Sequence, residues 1–577
     1  MKRKISHRII NVKPISKKFP HKYIFVIGGV MSGVGKGIAT SSIGTVLSAK
    51  GFSINLVKVD PYLNVDAGTM NPTEHGEVFV LNNGLETDQD MGNYERFLNR
   101  DASDYDYMTS GMVYQSVINK ERALKYGGKC VEAIPHIRDE IVSRFEHSAK
   151  ANKSDISIIE IGGTVGDYQN AMFIEAARYL KIKHPEDVTV MMVSYLPTPG
   201  TLGEMKTRPT QNAVHQLASY GLNTEFIIAR ATTPLDDRRK EKIATACNIL
   251  KEHVISAPDI KSIYDVPVNF EKDRLAELLM KTLKLEPRRT GPTFIEWKKM
   301  ARGIKDHDDH KVNIAIVGKY FNTGDFVLTD AYISVLEAIK FSGYANRVKP
   351  VIHTVNSRDF ESKSPDYSVL EQYDGIIVPG GFGESGIEGK LNVIRYCREN
   401  KIPYFGLCYG MQLMTIEFAR NVLGLDDAHT AEINPKAKHR IIDIMPDQKQ
   451  KLAEGNYGGS MRLGQYVAKL KKGTVAFGAY EQASWVKGGS IKERHRHRYE
   501  VNPEYIIQIE EAGLVFSGTS PDGRLMEIVE LPKDSHPFFL GTQFHPEFLA
   551  RPLSPHPLFT EFVKAAKVRG KGRENIK

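Results

Sequence analysis

The sequence predicts an α/β protein with more than one domain, and its first half is typical of a doubly wound, mainly parallel sheet. The chain has 577 residues, more than a single hydrophobic core supports. In the first half, short apolar segments alternate with helical patterns, as at 22–29, 155–163 and 188–196. Glycine-rich turns follow apolar segments in both halves, so we expect functional loops at the carboxyl ends of parallel strands.

Composition indicates a globular protein of a reducing compartment. Hydrophobic residues make up 41% of the chain and charged residues 25%. The longest apolar run, at 188–196, is too short to cross a bilayer, so we expect no membrane contact. The four cysteines include no CxxC pair, which predicts neither a zinc site nor a disulfide framework and favours the cytoplasm.

The net charge of +9 comes mainly from the beginning of the chain. Residues 1–22 contain eight lysines and arginines and no acid, so the remainder is close to neutral. We therefore predict a disordered basic tail, and the charge distribution argues against a nucleic-acid-binding face. A nucleic-acid role would depend on the two basic tails alone.

A phosphate-binding turn of the P-loop type is predicted after the first strand, 22–29. The turn is rich in glycine and leads through Lys36 into a helical pattern, so backbone N–H groups, the helix dipole and a cation can face an anion. The match to G-x-x-x-x-G-K-[ST] is imperfect: Gly29 to Gly35 is one residue too long, and Gly37 replaces the hydroxyl residue.

Carboxylates cluster near the ends of the following strands. Asp88 and Asp90 lie in a polar connection, and Glu160 ends the strand at 155–163. One or two carboxylates together with phosphate oxygens suit Mg²⁺. Each acid taken singly could equally be a solvated loop residue. Further on, the polar segment 206–214 follows another strand, and a later helical pattern contains Lys242.

The predicted domain limits follow changes in composition. Residues 286–311 combine proline, glycine and mixed charge without a sustained apolar pattern, which indicates a linker. A fresh strand begins at 312. The predicted parts are a basic N-terminal tail, a first domain, the linker, a second domain and a basic C-terminal tail: 1–21, 22–285, 286–311, 312–567 and 568–577.

The second half contains a predicted cysteine nucleophile. Cys408 lies between an apolar strand pattern and a helical one, with Gly406 and Gly410 on either side. This is the nucleophile-elbow arrangement, and a helix N-terminus favours the thiolate. His545 and Glu547, two residues apart, supply a base and its orienting group. The alternative is an ordinary buried cysteine and histidine, but the elbow and the H-P-E spacing favour catalysis.

Two other segments of the second half are less specific. The glycine loop PGGFG, 379–383, could direct N–H groups at an oxyanion, or could be an ordinary turn. The basic cluster at 493–502 could contact RNA, an anionic effector or the other domain.

Taken together, these stretches resemble the signature blocks of the CTP synthase family, in the family's order over about residues 22–567. In the first domain they are FVIGGVMSGVGKG, DPYLNVDAGTMNPTEHGEVFV, ETDQDMGNYERF, IEIGGTVGD and KTRPTQ. In the second domain they are PGGFG, GLCYGMQ, GGSMRLG, RHRHRYEVN and FHPEF. The resemblance implies an amidoligase domain followed by a class I glutaminase α/β domain.

The resemblance also implies the reaction. Cys408, His545 and Glu547 would release ammonia from L-glutamine through a thioester, and the ammonia would pass to the first domain. ATP would phosphorylate the 4-oxygen of UTP there, and ammonia would displace the phosphate to give CTP. The family is activated by GTP, inhibited by CTP and forms tetramers, some of which stack into filaments.

Binding residues carry over by position. The resemblance assigns ATP to Gly33, Val34, Gly35, Lys36, Gly37, Ile38, Lys58 and Asp90, and Mg²⁺ to Asp90 and Glu160. It assigns UTP or CTP to Ser32, Asp167, Tyr168, Gln169, Lys206, Thr207, Arg208, Pro209, Thr210, Gln211 and Lys242. It assigns glutamine to Gly381, Tyr409, Gly410, Met411, Gln412, Glu432 and Arg498.

Three positions depart from the family pattern. Tyr409 stands where an aliphatic residue is expected, and Arg208 where lysine is expected. Gln169 replaces an expected glutamate, which concerns CTP feedback more than catalysis. Two other functions remain open from the sequence: a cobyrinate-type amidotransferase, which the KTRPTQ and HGEVFV blocks argue against, and a non-catalytic, filament-forming nucleotide sensor.

Overall fold

A computed structural model describes residues 21–70, 76–200, 203–286, 288, 293–304, 310–318, 330–362, 364–381, 386–444 and 461–574. These residues form two compact units, one within 1–67 and 93–301 and the other within 68–92 and 302–577. The predicted N-terminal tail lies outside the described residues except for His21, which is buried. None of the described helices is long and apolar enough to cross a membrane.

The first unit is built on a sheet of seven strands among its described residues, in the order β5-β2-β6-β1-β7-β8-β9. Its strands are β1 Lys22–Gly29, β2 Ile54–Asp60, β5 Tyr107–Thr109, β6 Ile156–Ile161, β7 Val188–Tyr195, β8 Phe226–Ala231 and β9 Val254–Pro258. Its helices are α1 Lys36–Ala49, α3 Ser110–Arg122, α4 Arg138–Asn152, α5 Ala171–Lys183, α6 Arg208–Ser219, α7 Asp237–Cys247, α8 Val266–Lys272 and α9 Leu275–Thr282, with α2 Asp90–Leu98 and α10 Thr293–Gly303 crossing the unit limits.

The arrangement of this sheet confirms the predicted doubly wound fold. Every neighbouring pair of strands is parallel. The central strands are almost entirely buried, as expected for a sheet covered on both faces. From β1 the chain first adds strands on one side and later on the other, so the strand order reverses beside β1. The loops after β1 and β6 therefore lie at the switch point, where ligands bind in such folds.

The second unit contains a larger mixed sheet, whose described strands run β11-β10-β12-β13-β21-β20-β19-β16-β17. Its strands are β10 Lys311–Gly318, β11 Lys349–Asn356, β12 Gly375–Val378, β13 Tyr404–Leu407, β16 Arg462–Leu470, β17 Ser490–His497, β19 Val515–Thr519, β20 Met526–Glu530 and β21 Phe539–Thr542. A side sheet comprises β14 Ala428–Thr430, β15 His439–Ile444 and β18 Tyr499–Val501. The helices are α11 Ile333–Ala345, α12 Ser368–Glu371, α13 Ile387–Glu399, α14 Tyr409–Asn421, α15 Val475–Gln482, α16 Ile506–Glu511 and α17 Pro557–Glu574.

The segment 68–92 belongs to the second unit, although the sequence places it in the first domain. It forms a short hairpin of β3 Phe79–Val80 and β4 Glu86–Thr87. Phe79 packs edge-to-face on Phe548, with ring centroids 5.1 Å apart.

The basic cluster at 493–502 contacts the segment 68–92, which the sequence places in the other domain, so these contacts agree with one of the three alternatives stated for the cluster. The Arg494 Nε donates to Asn82 Oδ1 at 2.6 Å, and the Arg496 Nε pairs with Glu86 Oε1 at 2.7 Å. His495, on the same strand β17, is fully buried. The two arginines therefore hold the 68–92 segment on the second unit.

Two of the segments predicted outside the domains are partly helical. The linker 286–311 contains the helix α10, because Phe294, Trp297 and Ala301 form a buried stripe at helical spacing. The predicted C-terminal tail from 568 onward continues α17 to Glu574. Its basic residue Arg573 donates to backbone carbonyls and pairs with the buried Asp374 at 3.2 Å.

Replacing Trp297 with alanine should destabilise the first unit by about 3–5 kcal/mol, because the indole is buried and its loss leaves a cavity. Trp297 packs on Phe97 with a centroid distance of 5.1 Å, and its Nε1 donates to the Tyr264 carbonyl at 3.0 Å. Urea unfolding followed by circular dichroism measures the change. Ile295→Ala, on the exposed face of the same helix, is the control and should change the free energy of unfolding by about 0.5 kcal/mol or less. Equal shifts for both variants would contradict the assigned packing.

Candidate active sites

Cys408 occupies a strained turn between β13 and α14, as the sequence predicts. Its φ is 49° and its ψ −96°, a backbone conformation that non-glycine residues rarely adopt. A Cβ on Gly406 would lie 2.6 Å from the Gly410 carbonyl carbon, and one on Gly410 would lie 2.1 Å from the Val378 oxygen. Both glycines are thus needed for the close approach of backbone that forms the elbow.

His545 and Glu547 form a buried pair beside this cysteine. They follow β21 in a short 3₁₀ turn that begins at Pro546, and His545 Nδ1 lies 2.7 Å from Glu547 Oε1. A Cβ on Gly380 would lie 3.0 Å from His545 Cε1 and 3.7 Å from Cys408 Cβ, so the imidazole and the cysteine face the same glycine. The three residues predicted as a catalytic group therefore lie together.

The electrostatics of the group favour a charged imidazole. Burial alone would lower the pKa of His545, but the charge of Glu547 and the interaction with Cys408 outweigh burial and raise that pKa to about 10. An imidazolium opposite a thiolate supplies both a nucleophile and a proton donor for a leaving group.

A cavity opens onto the cysteine. It is lined by Cys408, His545 and Glu547, by Gly380 and Gly381 from the glycine loop, and by Glu77, Val78 and Arg496. The loop residues 382–383, which complete the predicted oxyanion turn, lie outside the described residues. The cavity thus leaves room for a small molecule at Cys408, between the glycine loop and His545.

The predicted glutamine-binding residues surround this position on different elements. Tyr409, Gly410, Met411 and Gln412 form the first turn of α14, and Gly381 lines the cavity. The Met411 side chain lies in the core, which leaves its backbone for any substrate contact.

Glu432 follows β14 and Arg498 precedes β18, and both charges act on a ring at the edge of the side sheet. Burial raises the pKa of Tyr499, Glu432 raises it further and Arg498 lowers it, so both charges are close to this ring. Glu432 also adds to the rise in the pKa of Tyr409, which burial dominates. An acid and a base on this side could bind the ammonium and carboxylate groups of an amino acid.

Sequence reasoning missed one residue at the nucleophile. Gln543 is fully buried, and its Nε2 donates to Cys408 Sγ at 3.7 Å. It stands in the stretch GTQFHPEF, two residues before His545, and that spacing was the available signal.

The segment predicted as a phosphate cradle forms a glycine-rich turn between β1 and α1. Gly33 and Gly35 adopt positive φ values of 72° and 82°, and α1 begins at Lys36 without a side-chain cap or an acid in its first turn. Lys36 Nζ donates to the Gly163 carbonyl at 2.8 Å. A helix N-terminus without an acid, with a lysine as the first helical residue, suits a phosphate group.

Lys58 and Glu160 lie close together at the carboxyl ends of β2 and β6. Lys58 Nζ is 3.2 Å from Glu160 Oε1 and 3.6 Å from Asp60 Oδ1, and Tyr94 donates to Glu160 Oε2 at 2.6 Å. Glu160 is buried. Asp90 begins α2 in the other unit, where its N–H donates to Asp88 at 2.8 Å. No group of three or more metal-ligating side chains occurs among the described residues.

The residues predicted to bind UTP or CTP fall into two groups. Some are buried and bonded within the protein, and the others are exposed or half-buried. Thr210 lies 2.8 Å from the Ser194 hydroxyl, and Gln211 donates to Thr207 at 3.1 Å. Residues 208–211 begin α6, so the predicted loop 206–211 is helical in its second part. The side chains exposed or half-buried at this edge are Ser32, Asp167, Tyr168, Gln169, Lys206, Arg208, Pro209 and Lys242.

Comparisons with known proteins cover nearly the whole chain. A family model described as CTP synthase N-terminus matches residues 22–285, and one described as glutamine amidotransferase class-I matches 327–565. The CTP synthase of Pyrococcus abyssi (strain GE5 / Orsay) is 48% identical over 548 residues, covering 95% of this chain and 98% of that protein. The CTP synthase of Listeria innocua serovar 6a is 46% identical and covers 94% and 99%. A solved glutaminase domain of Trypanosoma brucei CTPS with bound acivicin is 37% identical, covers 44% of this chain and 93% of that chain, and has a TM-score of 0.40.

Proposed function

Because the chain belongs to the CTP synthase family, we propose that it converts UTP to CTP with ATP and with nitrogen released from L-glutamine. The observation that carries this proposal is the His545–Glu547 pair, bonded at 2.7 Å, beside Cys408 in its strained elbow. A site of that kind has the parts that amide hydrolysis through a thioester requires.

In the glutaminase half-reaction, the Cys408 thiolate attacks the amide carbon of glutamine. The resulting oxyanion is stabilised by backbone N–H groups of Gly381 and of Tyr409 at the start of α14. His545 gives its proton to the leaving nitrogen, ammonia departs and a thioester remains. Water then attacks the thioester with His545 as base, and glutamate and the free cysteine are regenerated. Glu432 and Arg498 orient the amino acid.

In the synthase half-reaction, the turn Gly33–Ile38 and Lys58 bind the phosphates of ATP. The terminal phosphoryl group moves to the 4-oxygen of UTP, ADP leaves, and ammonia then displaces phosphate at that carbon to give CTP. Mg²⁺ would neutralise phosphate charge during this transfer, and we assign it to Glu160 and, by the family resemblance, to Asp90. The hard carboxylate oxygens of Glu160 and Asp60 next to Lys58 fit such an ion and its phosphates.

The nucleotide edge of the first unit would also bind the product. Tyr168 is 98% exposed, and Arg208 and Lys242 are exposed as well, so these side chains can contact a pyrimidine nucleotide. Asp167 and Gln169 belong to the part shared with the inhibitor CTP. Because Gln169 lacks the charge of the expected glutamate, it would alter feedback more than turnover.

We also propose GTP as activator and a homotetramer that can form filaments, acting in the cytoplasm. The exposed apolar side chains Ile118, Leu124 and Ile134 in the first unit support subunit contact. The four cysteines of the chain are unpaired, which fits a reducing compartment.

The two other functions are less well supported. A non-catalytic nucleotide sensor has no need for a charged His545 opposite Cys408. A cobyrinate-type amidotransferase is disfavoured because the family match over residues 22–285 is to CTP synthase.

Formation of CTP by the full chain tests the proposal. The purified protein is incubated with UTP, ATP and Mg²⁺, and with either glutamine or ammonium chloride. We expect CTP from both nitrogen sources. Absence of CTP with both would overturn the synthase function and favour the sensor.

A further inference from the structure

Two buried glutamine side chains connect the nucleophile with the main chain of the side sheet. Gln543 Nε2 lies 3.7 Å from Cys408 Sγ, and Gln543 Oε1 lies 3.2 Å from Gln412 Nε2. Gln412 Nε2 lies in turn 2.9 Å from the carbonyl oxygen of Tyr499. Gln412 is 3% exposed and Gln543 is fully buried, so water does not compete for these bonds.

The Tyr499 carbonyl determines which end of the Gln412 and Gln543 carboxamides carries the oxygen and which the NH₂ group. The Tyr499 carbonyl can only accept a hydrogen bond, so the NH₂ group of Gln412 must face it. The second hydrogen of that NH₂ group donates to Gln543 Oε1. The remaining end of Gln543, which faces Cys408 Sγ, is therefore its NH₂ group.

Cys408 Sγ has a different hydrogen-bond partner as a thiolate and as a thiol. A thiolate accepts the hydrogen bond of Gln543 Nε2. A thiol can donate instead to the carbonyl of Arg496, but Cys408 Sγ lies 4.0 Å from that oxygen, which is long even for sulfur. The better hydrogen bond thus belongs to the thiolate, and a hydrogen bond to a charged acceptor is the stronger kind.

We propose that Gln543 is a further catalytic residue of the glutaminase site, which stabilises the Cys408 thiolate through its carboxamide N–H, and that Gln412 is a positioning residue that fixes the orientation of Gln543. This inference rests on the proposed function in one respect, namely that Cys408 is the nucleophile. It adds a hydrogen-bond donor at the sulfur besides the histidine.

The side chain of Gln543 can be changed without disturbing its strand connection. The backbone N–H of Gln543 donates to the Glu527 carbonyl at 2.9 Å, a bond that any residue would keep. Gln543→Met has nearly the same shape and removes the donor. Gln543→Glu keeps an acceptor for Gln412 and places a carboxylate next to the sulfur.

The rate of Cys408 alkylation by iodoacetamide between pH 5 and 9 tests the inference in the full chain, with each cysteine peptide quantified by mass spectrometry. We expect Gln543→Met to slow alkylation at pH 7 about tenfold and to move the midpoint of the pH dependence upward. Gln543→Glu should move it further, because a carboxylate repels a thiolate. The other charged groups around the sulfur, His545, Glu547, Arg496 and Glu77, are the same in all three proteins.

The exposed Cys130 is an internal control, and its rate should be unchanged in both variants. An unchanged Cys408 midpoint in Gln543→Met would overturn the inference, whatever Gln543→Glu does, because only the loss of the donor tests it. If Gln543→Met fails to fold by circular dichroism, Gln543→Leu, which also lacks the donor, takes its place.

Alkylation needs no substrate, so the role of Gln543 and the proposed CTP-forming function are tested independently of each other. Shifted midpoints in a chain that makes no CTP would uphold the role of Gln543 and reject the proposed function. Unshifted midpoints in a chain that makes CTP from glutamine would do the reverse.

Discussion

Cys408→Ala should reduce glutamine-dependent CTP formation by about a thousandfold or more, because the thioester can no longer form. Formation of CTP from ammonium chloride should stay within about twofold of the wild type, since that reaction does not pass through the thioester. Initial rates with each nitrogen source at saturating UTP and ATP measure both effects. Cys408 is buried in the elbow, and alanine is smaller than cysteine. The substitution therefore introduces no steric clash with the surrounding core.

Cys130→Ala is the matched control, because this cysteine is exposed and lies in the first unit. It should leave both rates unchanged. If Cys408→Ala lost CTP formation from ammonium chloride as well as from glutamine, Cys408 would not act only in the release of ammonia from glutamine.

Lys36→Met should lower kcat/KM for CTP formation about a hundredfold or more with either nitrogen source. Lys36 is the cation at the first turn of α1. Its loss removes a positive charge that would stabilise the phosphoryl group during its transfer. Glutamine hydrolysis without nucleotides should be unaffected, because Lys36 lies outside the glutaminase unit.

Lys50→Met, at the other end of the same helix, is the control for this prediction. Lys50 Nζ pairs with Glu277 at 2.7 Å in a partly exposed salt bridge, which contributes little to stability. Its kcat/KM should stay within about twofold of the wild type. A loss confined to glutamine as nitrogen source in Lys36→Met would count against the phosphate role.

Features defined by neighbouring residues were predictable from the sequence. The β1–turn–α1 unit and the elbow at Cys408 each depend on glycines within a few positions, and the pair His545–Glu547 on a spacing of two. The helix α10 was missed, although Phe294, Trp297 and Ala301 carry its stripe, because proline, glycine and charge dominate the surrounding segment.

Long-range contacts were not predictable. Gln543 reaches Cys408 across 135 positions, and no local pattern reports that a carboxamide will meet a sulfur. For the same reason, the sequence left open which partner the arginines at 494 and 496 would contact. Their partners, Asn82 and Glu86, are more than 400 positions away.

The attachment of 68–92 to the second unit has a consequence for evolution by domain shuffling. A glutaminase gene fragment cut at the linker would keep Cys408, His545 and Glu547 but would lose Glu77 and Val78 from the wall of its cavity. Phe548, next to Glu547 in the chain, would lose its edge-to-face contact with Phe79. The hairpin must therefore change in step with a surface that is encoded hundreds of codons downstream.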